Sequence, residues 1–194
     1  GIPHNSMLVH VTRFNAVQRK IKELVEEHLR AMVARIMAGQ LSEFRDLWEN
    51  NFKTTSEKMM QLGFKDAEIH EWDAVSRELF EQTRKIKVKG INGEISDILD
   101  YREADAIARE RTLRGEDVPW EERGINVIAI GGDKLSRGLT LDGLTISYYL
   151  RASRMYDTRM QMGRWFGYRD GYNDLCRIYT TEELALWYRY IALA

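Results

Sequence analysis

Ile125–Arg151, INVIAIGGDKLSRGLTLDGLTISYYLR, is the stretch on which the fold turns. An apolar run breaks at Gly131-Gly132, passes Asp133, Arg137 and Gly138, and resumes as a second apolar run. Continuous apolar runs of this length, bounded by glycines, read as strands buried on both faces. A companion stretch, Tyr156–Tyr179 (YDTRMQMGRWFGYRDGYNDLCRIY), carries Arg159, Gln161, Arg164 and Arg169 through a helix-like segment and into another strand. Glycines at strand ends let backbone amides approach an anion, and arginines there can neutralise one. Together the two stretches read as a site for phosphate.

Outward from this pair, strands and helices alternate. Met7–Val11 reads as a short buried strand ending at Thr12-Arg13. A long amphipathic helix follows, with Val17, Ile21, Leu24, Val25, His28, Met32 and Ile36 at helical spacing and Gly39 at its end. Leu41–Leu62 repeats the pattern through Phe44, Leu47, Trp48 and Phe52, with Gly63 as a second stop. Asp66 is placed to cap a third helix whose stripe is Ile69, Trp72, Val75 and Leu79. Ile86–Ile91 alternates like a strand, 98–113 is expected to be helical, and 114–124, with Pro119, reads as a loop. Strands at 126–130, 145–150 and 175–179 follow, with a helix at about 157–166 and a final helix from Thr181. The whole predicts an α/β fold with a mostly parallel sheet covered on both faces. The helices at about 41–84 look like an insertion. In such sheets ligands sit at the carboxyl ends of the strands, so Thr12-Arg13, Gly131–Arg137 and Arg151 are expected on one rim.

Bulk composition limits the functional classes. At 194 residues the chain fits one domain, or one domain with an insertion. A net charge of -1 makes the whole surface a poor attractor for nucleic acid, so any such binding is local. Residues 151–177 hold six arginines against three acids, a basic patch that the total charge conceals. Cys176 is the only cysteine, which excludes an internal disulfide and suits a reducing, cytoplasmic location. Its neighbours Leu175 and Ile178 point to a buried structural thiol. No apolar stretch is long enough to span a bilayer. A start at Gly1 and a stop within the apolar pattern of Trp187–Leu193 suggest a piece of a longer protein.

The order of the motifs resembles the second RecA-like lobe of superfamily-two helicases and translocases. Val9–Arg13 (VHVTR) resembles the motif IV strand, Asp133–Leu144 (DKLSRGLTLDGL) motif V, and Gln161–Arg169 (QMGRWFGYR) motif VI. More narrowly, GGDKLSRGLTLDGL followed by YDTRMQMGRWFGYRDGYNDLCRIY resembles the signature of the Z-one (Z1) domain family, endonuclease-associated ATPases of bacterial restriction and phage-defence systems. The resemblance implies a three-layer RecA-like (P-loop NTPase-like) lobe over residues 1–194. Arg164 and Arg169 would be catalytic arginines aimed at the γ-phosphate. Asp133, Arg137, Gly138, Thr140 and Gln161 would line the nucleotide cleft. Thr12, Arg13, Gly131, Gly132, Arg151 and Arg154 would contact nucleic acid, expected to be DNA.

Two departures qualify the match. Thr140 stands where motif V often has a second aspartate, so a charge-based role is lost there. The second arginine of motif VI usually lies three residues after the first; here that position is Gly167, and Arg169 follows two residues later. Either the turn is looser and Arg169 reaches the same place, or Arg164 serves alone. The chain has no G-x-x-x-x-G-K-[ST] loop, and no glycine in it is followed by lysine. ATP and Mg²⁺ would therefore require an N-terminal RecA-like lobe of the same protein, with a nuclease domain or subunit as a further partner. Restriction-type cleavage commonly uses a carboxylate two residues before a lysine, and neither Asp-x-Lys nor Glu-x-Lys occurs here. The alternatives are a noncatalytic docking module, or a non-translocating ATPase switch that gates a partner nuclease.

Plainer roles account for other residues. Trp165, Phe166 and Tyr168 are expected to pack rather than stack on bases. Arg177, in a predicted strand, is expected to pair with an acid, and His28 to be a core histidine. His4, His10 and His70 have no ligand spacing that suggests a metal.

Overall fold

The computed structural model describes residues 4–10, 12, 14–64, 68–91, 101–118, 124–132, 141–150 and 171–193. At the centre of its sheet lies β1 (Asn5–His10). β2 (Lys87–Ile91), β3 (Asn126–Gly131), β4 (Leu144–Tyr149) and β5 (Arg177–Thr180) complete the order β2-β3-β1-β4-β5, and all four pairings are parallel. The apolar run of β3 is buried as its sequence demands, with Ala129 and Ile130 fully covered. Leu8 of β1, also fully covered, meets Ala129 and Leu141, with Ile91 and Leu144 packed around them. Burial of a leucine of this kind contributes about 1.5–3 kcal/mol.

The strand order also arranges the layers. From β1 the chain crosses two places to β2 through α1 (Asn15–Met37); from β2 it returns the other way to β3 through α5 (Tyr101–Leu113). Parallel crossovers are almost always right-handed, so opposite directions put α1 and α5 on opposite faces. This is an α/β sheet with helices on both sides, the arrangement of a three-layer RecA-like fold. The last helix, α6 (Glu182–Leu193), follows β5.

The β1–β2 connection is longer than one helix. α1 ends at Gly39, which takes φ +73°, a conformation easy only for glycine. α2 (Ser42–Leu47), a π-helical turn (Trp48–Lys53) and α3 (Thr54–Gln61) then run on continuously to Gly63. α4 (Trp72–Thr83) leads into β2.

Three local expectations need correction. α1 buries Gln18 and Ile36 and half-buries Ile21, Val25, Leu29 and Met32, whereas Val17, Leu24 and His28 are exposed. The true stripe follows a 3.6-residue period, and positions 17, 24 and 28 drift off it. His28 is therefore no core histidine. α4 starts at Trp72, so Ile69 precedes it; Asp66 lies outside the described residues. Trp48 donates its indole N–H to the His70 carbonyl at 3.1 Å, and Lys53 pairs with Glu71 at 3.0 Å. These ties hold Glu71 extended, with ψ 152°.

Candidate functional site

The carboxyl ends of the strands form a rim around the exit of β1. His10 is fully buried there and stacks on Tyr149, with ring centroids 5.0 Å apart. The two residues are in register across β1 and β4, and the Leu150 amide extends the pairing to the His10 carbonyl at 3.2 Å. On the other side of β1, Gly131 closes β3 opposite Ile91, and Gly132 forms the bend that follows. Both glycines are buried. Ligands of open α/β sheets bind outside the carboxyl ends of the strands, the edge on which this rim lies.

Thr12 is held into this rim by its own loop. Its Oγ1 accepts the Phe14 amide at 3.2 Å, a turn that mimics a helix cap. Its carbonyl accepts Gln18 Nε2 at 2.9 Å. The Phe14 amide uses the Thr12 hydroxyl as an acceptor and not its proton. Gln18 is 4% exposed, and its Oε1 finds no hydrogen-bond partner among the described residues. This glutamine, absent from the sequence-based list, sets the conformation of the β1–α1 loop. Its signal in the sequence is a polar residue on the helix stripe, four residues after Phe14.

The rim thus brings Thr12, Gly131 and Gly132 to one edge of the sheet, as the sequence pattern requires. Arg13, Asp133, Arg137, Gly138, Thr140, Arg151, Arg154, Gln161, Arg164 and Arg169 lie outside the described residues, as do Arg159, Trp165, Phe166, Tyr168 and the helix expected at about 157–166.

Residues 171–175 form a turn that leads to β5. The Leu175 amide bonds the Tyr172 carbonyl at 3.0 Å, and Cys176 Sγ lies 3.3 Å from that same oxygen. Cys176 is half-buried and Ile178 is 51% exposed, so the thiol is less enclosed than its neighbours suggested. Among the described residues, Arg177 makes no ion pair with a carboxylate. Its Nη1 donates to the carbonyls of Asp174 and Cys176 at 2.7 and 2.9 Å, and its Nε donates to Asn51 Oδ1 at 2.8 Å. Its guanidinium carbon sits 4.3 Å from the Phe52 ring centroid. Burial pulls its pKa below the ordinary arginine value. The Asp174 carboxylate accepts Ser56 Oγ instead, at 2.5 Å.

The Z1 domain family model matches residues 2–194. The chain belongs to the Z1 domain family. No curated protein and no solved structure matches it. Among the described residues of this Z1 domain, no three His, Cys, Asp or Glu side chains lie together as metal ligands would. Nor is any described helix long and apolar enough to cross a membrane.

Proposed function

We propose that this Z1 domain is the second RecA-like lobe of a nucleic-acid-dependent ATPase, helicase- or translocase-like, in a restriction-type or phage-defence endonuclease. The observation that carries this reading is the all-parallel sheet with β1 at its centre, which puts Thr12 and Gly131-Gly132 on one carboxyl rim. In this reading Thr12, Arg13, Arg151 and Arg154 meet the nucleic-acid backbone through contacts that are salt-sensitive and blind to sequence. Arg164 and Arg169 face the γ-phosphate. Asp133, Arg137, Gly138, Thr140 and Gln161 link nucleotide state to closure of the two lobes.

The phosphate cradle itself does not fit on this chain. Gly131 and Gly132 are buried, and no glycine is followed by lysine. ATP and Mg²⁺ would therefore be held by an N-terminal lobe. What this lobe supplies is positive charge to the transferring phosphoryl group; an arginine so placed raises turnover about 10³–10⁵-fold in comparable NTPases.

The test is ATP hydrolysis by the full-length parent, with and without DNA, beside this domain alone. DNA-stimulated turnover by the parent and none from the domain is the expected result. A parent that never turns over ATP would refute the assignment. The rival reading is a docking module or a non-translocating switch. It draws support from the local turn that occupies the Thr12 hydroxyl oxygen and from the burial of both glycines.

A further inference from the structure

Each face of the sheet carries an aromatic pair at the carboxyl end of β4, and the two pairs differ in burial. On one face Tyr149 stacks on His10, and both are buried. On the other, Tyr148 and its in-register partner Tyr179 of β5 are 39% and 41% exposed. Their ring centroids lie 6.2 Å apart and their planes tilt by 36°. A single tyrosine this exposed would be ordinary. Two rings side by side on neighbouring strands are different, because rigid elements hold them and little order is lost when a ligand covers them.

The exposed pair shares its face with α1. Directly paired residues of a parallel sheet point to the same side. The row of pairs here runs Gly90, Ile130, Val9, Tyr148, Tyr179. A Cβ at Gly90 would lie 3.5 Å from the Lys22 side chain, which fixes α1 on that side. The N-cap of α1 is Phe14, 59% exposed and two residues after Thr12. Beside the rim, this face therefore shows three aromatic rings to solvent. The charge that accompanies them is written in the sequence: YYLRASRMY, residues 148–156, interleaves rings with Arg151 and Arg154.

We propose that Tyr148 and Tyr179 form a platform on which bases of a single strand stack, so that the nucleic acid is unpaired where it crosses the rim. The inference rests on the nucleic-acid role proposed above. Every base has a π-face, so such a platform is blind to sequence, as a translocase requires. A duplex keeps its base faces inside its own stack, and only unstacked bases can lie on aromatic rings. A protein partner could also cover two rings, but arginines beside them favour a polyanion.

The experiment measures binding of the full-length parent to two labelled probes, single-stranded oligothymidylate and a hairpin duplex, by fluorescence anisotropy over a range of salt. Wild type is compared with Tyr148→Ala, Tyr179→Ala and Tyr148→Phe. Each alanine variant is expected to bind the single strand about 5–150-fold more weakly, the effect of losing one base–aromatic stack. Duplex affinity and the salt slope stay as in wild type, since a neutral ring releases no counterions. Tyr148→Phe keeps the ring and recovers the affinity that Tyr148→Ala loses. Unchanged single-strand affinity in both alanine variants overturns the platform and leaves the nucleic-acid reading intact. An equal loss for both probes, or no recovery with phenylalanine, also overturns it. A wild-type parent that binds neither probe overturns the nucleic-acid reading and the platform with it.

Discussion

Removing the Ser56 hydroxyl strands a charge. Ser56 Oγ lies 2.5 Å from Asp174 Oδ2 and 3.2 Å from the Phe52 carbonyl. A serine has one proton to donate, and the shorter contact, to the carboxylate, claims it. Ser56→Ala therefore leaves Asp174, 3% exposed, without that donor. A hydrogen bond to a charged group contributes about 1.5–3 kcal/mol, and a buried acceptor left unmade costs the upper part of that range. Taking about 2 kcal/mol, a protein of this length loses about 4–8 °C in Tm. Asp174→Asn keeps the shape and an acceptor oxygen but removes the charge, and costs about 1 kcal/mol. In the double variant the alanine no longer strands an ion, so the two losses are not additive. The coupling expected from the cycle is about 1–2 kcal/mol. Urea unfolding of the four proteins, with unchanged m-values, gives these quantities. A loss under about 0.5 kcal/mol for Ser56→Ala, the level of an ordinary surface change, would refute the assignment of a buried charged hydrogen bond.

Four other outcomes are expected. In the full-length parent, Arg164→Ala abolishes ATP turnover and leaves nucleotide binding nearly intact; wild-type turnover would sink its catalytic role. Leu8→Ala, in the fully covered centre of β1, costs about 2–5 kcal/mol, whereas Leu24→Ala on the exposed side of α1 stays within about 0.5 kcal/mol by chemical denaturation. Gly39→Ala meets no neighbour within 4 Å yet must hold φ +73°, so thermal melting should show a loss of about 1 kcal/mol from backbone strain alone. The Arg84 guanidinium holds the Glu81 carboxyl below its ordinary value of 4.5. Stabilisation from that pair is complete above the ordinary value and is lost as pH falls through the lower one. An NMR titration in which Arg84→Ala returns Glu81 to the ordinary range would confirm the cause.

The parallel sheet was legible because its signal is local. The run NVIAI is too short and too uniformly apolar for a solvent-facing strand, and the observed β3 lies within a residue of the expected bounds. Placement of Thr12 and Gly131-Gly132 on one rim followed from parallelism alone, since every strand then ends on the same side. Helix faces were less legible. Val17, Leu24 and His28 fit a helical repeat nearly as well as Gln18, Val25 and Leu29 do, and only the neighbour packed against α1 selects between the two faces.

By itself the sequence determined the fold class, membership of the Z1 domain family and the absence of a phosphate loop. Each rests on residues close together in the chain, where spacing and residue type suffice. Tertiary structure alone decided the strand order, the role of Gln18 at the β1 exit and the partners of Arg177. Residues 51 and 177 are 126 apart in sequence, and nothing in the local pattern of either announces the other. An arginine beside an aspartate three residues earlier reads as an ion pair. Its guanidinium instead meets Asn51 and Phe52, brought in by a distant helix, and the carbonyls of Asp174 and Cys176, while Ser56 donates to the Asp174 carboxylate.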